Sequence, residues 1–135
     1  MTSLTANCVA LVVCSDFVNE GEQLTLRRLV EWIVATRFPH VEPELCFYIV
    51  LRGLRGTQQI RLRILRADDL NLVDKDLVEP LEIETECTDP TREQTARMCR
   101  SGVVFPQPGK YRIVLEVDGT FVTDRSLELI RRDPQ

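Results

Sequence analysis

Hydrophobic positions in this chain recur mostly at every second residue, and Gly, Pro, Asn and Asp break the recurrence at short intervals. That is the period of strands joined by turns. Asn7 to Cys14 is a valine-rich apolar run and predicts one strand buried on both faces. Asn19-Glu20-Gly21-Glu22 supplies turn chemistry behind it. Over Leu24 to Phe38 a strand template places Leu24, Leu26, Val30, Trp32, Val34 and Phe38 on one face, against Arg28 and Thr36. A helical template collects Leu26, Leu29, Val30 and Ile33 but leaves out Leu24 and Trp32. The strand template fits better and predicts one strand with a bulge near Arg28.

Pro39 and Pro43 bracket a short predicted loop carrying His40, and Leu45 to Leu51 reads as the next strand. Gly53 to Thr57 then turns the chain into Ile60, Leu62 and Ile64, which alternate with Arg61 and Arg63, so the two segments form a predicted hairpin. Asp68 to Asn71 is turn-like, and from Leu81 the glutamates 82, 84 and 86 alternate with Ile83, Thr85 and Cys87. Residues 90–101 stay open. Asp89-Pro90-Thr91 suits the start of a short helix ending at Gly102, while a strand over Thr95 to Ser101 fits equally well. Tyr111 to Val117 alternates cleanly, Asp118-Gly119 is a strong two-residue hairpin signal, and Phe121 to Leu129 returns as the last strand. The order predicts an all-β protein: one antiparallel sandwich of about seven to nine strands spanning residues 1–135, with one short helix near 90–101 as the open alternative.

Two stretches carry a likeness. Cys14-Ser15-Asp16-Phe17 with its glycine turn and Leu24-Thr25-Leu26 lies at one end, and Pro106 to Arg112 with Leu115 to Gly119 at the other. Together they resemble a family of small uncharacterised bacterial β-sandwich proteins, immunoglobulin-like in pattern. The resemblance implies a sandwich; as the family has no known activity, it implies no functional residues.

Composition narrows the class. A hydrophobic fraction of 44% and a charged fraction of 28% describe a globular chain. No apolar run approaches the ~20 residues that a membrane-spanning helix needs. The first residues lack the basic start and small-residue cleavage site of a secretory signal. Five cysteines, an odd number without a CxxC pair, suit a reducing compartment better than a disulfide framework. Cys8 and Cys14 share strand parity with Ala10 and Val12 and read as buried small side chains. These points predict a cytoplasmic protein without membrane contact.

The candidate chemistry is thin. His40 is the only imidazole, so a multi-histidine metal site is excluded, and its nearest thiol, Cys46, lies beyond Pro43. Asp69, Asn71, Asp74, Asp76 and Glu79 are oxygen donors, but without the alternation and central glycine of a calcium loop. Glu82, Glu84 and Glu86 share a strand face yet lack the aromatics of a sugar cleft. The sequence therefore predicts no catalytic residues, no cofactor and no metal.

Charge changes the picture most. The net charge of -4 argues against a general nucleic-acid binder. It conceals a block from Arg52 to Arg66 with five arginines (Arg52, Arg55, Arg61, Arg63, Arg66) and no acid. From Asp68 to Glu93 ten acids face only Lys75 and Arg92. Arg61 and Arg63 point away from Ile60 and Leu62, and Glu82, Glu84 and Glu86 away from Ile83. This predicts two exposed faces of opposite sign, either paired across neighbouring strands or complementary to a partner. The expected function is a non-catalytic interaction module that binds an unidentified protein, or another copy of itself, through the faces of Arg52, Arg55, Arg61, Arg63, Arg66, Glu82, Glu84 and Glu86 or through a sheet edge. The alternative is a small-ligand or carbohydrate-binding sandwich using Trp32, Phe38 and Phe47 as a platform. An enzyme of unknown class is the third reading.

Overall fold

Alternation of apolar and polar side chains resolves into nine strands in a computed structural model, which describes residues 6–66 and 76–133. They are β1 (Asn7–Glu20), β2 (Gln23–Leu29), β3 (Trp32–Ala35), β4 (His40–Arg52), β5 (Gly56–Arg66), β6 (Leu81–Cys87), β7 (Gln94–Phe105), β8 (Gly109–Val117) and β9 (Thr120–Arg131). The described residues contain no helix. The predicted turn at Asp68 to Asn71 and the oxygen donors Asp69, Asn71 and Asp74 lie outside the described residues.

The strands form two sheets. Sheet A has the order β2-β1-β4-β7 and sheet B the order β3-β9-β8-β5-β6. Every pairing is antiparallel except that of β3 with β9. The inner faces of both sheets feed one core. Leu45, Phe47, Ile49 and Leu51 of β4 meet Leu62 and Ile64 of β5 and Ile113 and Leu115 of β8 in a single buried cluster. Phe105 of β7 packs edge-on against Tyr111 of β8, with ring centroids 5.0 Å apart.

On each open side of the pair an arginine donates to a backbone carbonyl beyond its own sheet. β2 pairs with β1 only from Cys14 onward, so the carbonyls of Leu11 and Val13 face an open edge. Arg125 Nη1 of β9 takes the first at 2.7 Å, and the Val30 N–H takes the second at 2.8 Å. On the opposite side Arg100 Nη2 of β7 donates to the carbonyl of Glu79, ahead of β6, at 2.6 Å. The Arg125 contact fills an acceptor that a sheet edge leaves unmet.

Two expectations need correction, and one open alternative is settled. The stretch Leu24 to Phe38 is not one strand. Arg28 adopts φ 56°, a left-handed conformation that ends β2, and the chain crosses to sheet B before β3 begins. The crossing shifts the alternation by one residue, so Ile33 and Ala35 face the core while Trp32 and Val34 face outward. His40 does not sit in a loop: it opens β4 opposite Phe105. The ladder between β4 and β7 steps over Pro43, which has no N–H to give, opposite Gly102 at φ 65°. Across that kink the strands exchange faces, with Glu44 outward on one side and Val41 and Val104 outward on the other. The alternative left open at 90–101 resolves against a helix: β7 begins at Gln94, and 90–93 are not strand. Asp89 Oδ1 accepts from both the backbone N–H and the hydroxyl of Thr91, so the side chain closes a turn instead of capping a helix.

The Asp118-Gly119 hairpin forms as the sequence predicts, with φ 49° and 78° at its two residues. Nearby, Tyr111 is 1% exposed, and its hydroxyl donates to the Gln107 carbonyl at 2.6 Å. Tyr111→Phe keeps the ring but removes that hydrogen bond. The expected loss is about 1–2 kcal/mol in urea unfolding with an unchanged m-value; a variant as stable as the parent would show that the bond is dispensable.

Candidate functional site

Register decides what the charged block does. β5 and β6 are direct neighbours, and Arg61 lies opposite Glu82, with Gln59 opposite Glu84 and Thr57 opposite Glu86. The two predicted faces of opposite sign are therefore one surface, and much of it neutralises itself. Arg61 Nε lies 3.5 Å from Glu82, and Arg52 Nη2 lies 3.3 Å from Glu93. Arg63 forks onto Asp76 at 2.8 and 3.3 Å and also lies 3.7 Å from Glu116. Its side chain is only 14% exposed, so this pair is half-sealed against β5 rather than offered to a partner.

Of the eight sequence-predicted residues, Arg55, Glu84 and Glu86 make no side-chain ion pair among the described residues. Arg55 and Glu84 border two depressions that share Gln58 and Asp118. One is a groove of about 530 Å³ between the β4–β5 loop and the β8–β9 hairpin, holding Arg55, Gln58, Asp118 and Phe121. The other, of about 330 Å³, runs past Gln59 to Glu84. Phe121 is 56% exposed, and sequence reading gave it only to the last strand.

The shared wall is rigid. The Asp118 N–H donates to the Gln59 carbonyl at 2.8 Å, while its carboxylate accepts from the Gln59 N–H at 2.9 Å and from Gln58 Nε2 at 3.0 Å. The backbone donor first, and then the Gln58 amide, hold the Asp118 carboxyl below the usual aspartate range. Gln58 Oε1 in turn accepts the Arg55 N–H at 2.7 Å. The hairpin tip, the β4–β5 loop and the start of β5 are thus one hydrogen-bonded unit.

The remaining expectations disperse. His40 Nε2 meets Glu42 at 2.9 Å and does not pair with Cys46. Cys46 forms a disulfide with Cys99, against the expectation of a chain without one. Cys14 is fully buried as expected, but a bulge between Cys8 and Ala10 moves Cys8 to the inner face, so the two do not share parity. Trp32, Phe38 and Phe47 build no platform: Phe47 is fully buried, Phe38 packs on the core and Trp32 stands outside sheet B. With 59% of Trp32 exposed, its fluorescence is expected to be red-shifted and readily quenched by acrylamide. A blue, protected emission would contradict the shifted alternation of β3.

The sequence profile of a family described as "Family of unknown function (DUF6941)" matches residues 10–130. No curated protein matches the chain.

Proposed function

The chain belongs to that family, whose function is unknown, and from its own surface we propose that it is a non-catalytic interaction module that grips a protein segment at its loop end. The observation that carries this reading is the exposed Phe121 beside Arg55 in one groove. Aromatic and arginine side chains are the ones that most often anchor protein contacts. The occupant that fits is an extended segment with an acidic group for Arg55, an apolar side chain for Phe121 and a basic group for Glu84 and Glu86. This sharpens the sequence expectation: the interaction moves from the arginine ladder, which is engaged within the sheet, to the end of it.

We read the two sheets as an immunoglobulin-like sandwich. Several features favour this. β4 neighbours β7, β5, β8 and β9 lie side by side, and a short strand runs parallel to the last one. The Tyr111 hydroxyl reaching back four residues resembles the tyrosine corner of that fold. The disulfide departs from the immunoglobulin pattern, since it joins neighbours within one sheet. In such sandwiches the loops at one end commonly carry recognition, which is where Arg55 and Asp118 lie.

A photo-cross-linking residue at position 121 tests the site in the native host. It is expected to trap a discrete protein adduct that Arg55→Glu removes and that fades in 1 M salt, where exposed charges are screened beyond ~3 Å. The same adduct from position 104, on the other sheet, would overturn the assignment of the site.

A further inference from the structure

The disulfide joins Cys46 of β4 to Cys99 of β7, residues directly opposite each other and 53 apart in sequence. Their Cα atoms are 4.1 Å apart, the narrow, non-hydrogen-bonded kind of antiparallel pair. Glu44 lies two residues before Cys46 and so shares its outward face. The two sulfurs and a Glu44 carboxylate oxygen all lie within 4.8 Å of one another. Beside them an open depression of about 480 Å³ is bordered by Glu44, Ser15, Asp16, Arg27 and Arg28.

We propose that this corner of sheet A is a redox-gated site for a soft divalent cation of the zinc class, held by the thiolates of Cys46 and Cys99 and the carboxylate of Glu44. The disulfide is its closed state. A dithiol reductant supplies two electrons and two protons, opens the S–S bond to two thiols and leaves as its own disulfide. The ion then displaces the two thiol protons to solvent and forms two metal–sulfur bonds and one metal–oxygen bond.

The geometry suits the chemistry. Tetrahedral zinc with bonds of about 2.3 Å to sulfur holds its two sulfurs roughly 3.7 Å apart. A non-hydrogen-bonded pair, with Cβ atoms about 4.5–5.5 Å apart, reaches that separation once the covalent bond opens. Glu44 and Cys99 are exposed, so the ion has an entry path and a fourth position open to water. Two thiolates and a carboxylate leave a bound divalent ion with one surplus negative charge, and Arg28 borders the same depression. Spacing in the sequence gave no hint, because two strands deliver the sulfurs without any CxxC.

Cys14 provides the control. It lies opposite Cys46 on the other side, on β1, but is fully buried, and its thiol contacts the Asp16 carbonyl at 3.5 Å. Burial, and then the Asp16 charge, raise its pKa.

The test titrates Cd(II) and Co(II) into the full chain, reduced and then freed of reductant, following thiolate-to-metal absorption. The expected result is one ion per chain, displaced by Zn(II), with none bound by the oxidised protein. Cys99→Ser is expected to abolish the band, Glu44→Gln to weaken binding about 10- to 100-fold, and Cys14→Ser to change nothing. Should Cys99→Ser misfold, alkylation of the reduced parent decides: bound Zn(II) must slow modification of Cys99. No absorption band, unslowed alkylation, or equal loss in Cys14→Ser would each overturn the site.

Discussion

Phe47→Ala is expected to cost about 3–5 kcal/mol, the usual range for deleting a buried phenylalanine ring. Phe47 is 0% exposed, and its neighbours along the sheet, Val13 of β1 and Met98 of β7, also face the core. β4 is an inner strand of sheet A, so its backbone is hydrogen-bonded on both sides and cannot settle into the vacated space. Against a total stability of roughly 5–15 kcal/mol for a domain, the loss leaves the variant near its unfolding threshold. Urea unfolding would show a large drop in midpoint with little change in slope. Tyr48→Ala is the companion measurement. Tyr48 is the next residue, half-buried on the outer face, where Phe17 meets it edge-on at 6.5 Å. Its loss is expected to be clearly the smaller, and the reverse order would mean that the faces of β4 are assigned the wrong way round.

Arg63→Met is expected to cost about 2–3 kcal/mol, since it leaves two half-buried carboxylates without their shared cation. Asp76 and Glu116 are 22% and 15% exposed at the side chain, so water screens them only in part. Adding Asp76→Asn and Glu116→Gln to Arg63→Met is expected to restore part of the stability, because the penalty arises from uncompensated charge and not from lost volume. The more exposed pairs Arg52–Glu93 and Arg61–Glu82, at 40–56% side-chain exposure, are each expected to matter by less than about 1 kcal/mol. A triple variant no more stable than Arg63→Met alone would refute the electrostatic account.

Local alternation carried much of the architecture. Ile60, Leu62 and Ile64 face the core, as do Tyr111, Ile113, Leu115 and Val117, and Asp118-Gly119 turns where the hairpin chemistry says it should. An irregularity near Arg28 was legible as a bulge, but the break between β2 and β3 was not, because an arginine side chain does not mark the left-handed conformation that favours glycine or asparagine. Two alternations of the same period, offset by one residue, then read as a single longer one.

The candidate site was legible only in part. Arg55 and Glu84 stood out in the charge count, but which charges remain open is a matter of register. Arg61 finds Glu82 across a strand pair, and Arg63 finds Asp76 ahead of β6 and Glu116 on β8. A count by blocks along the chain treats such partners as separate surfaces. Phe121 went unnoticed for a related reason: alternation alone does not tell an exposed aromatic at a hairpin from one at the margin of a core. The Cys46–Cys99 pairing depends on the β4–β7 register, and no local pattern encodes it.

The position of β9 bears on the order in which the protein is made. It lies between β3 and β8, hydrogen-bonded to both, although it is the last strand along the chain. As synthesis runs from the N-terminus, sheet A can have all four strands once Phe105 is out, whereas sheet B lacks β9, the strand that joins β3 to β8, until residues 120–131 are made. Until then β3 has no partner in its sheet and β8 shows a bare edge, the kind of surface that invites pairing with other chains. The nascent protein is therefore most exposed to misassembly in the interval between β8 and β9, and the tight Asp118-Gly119 turn keeps that interval short.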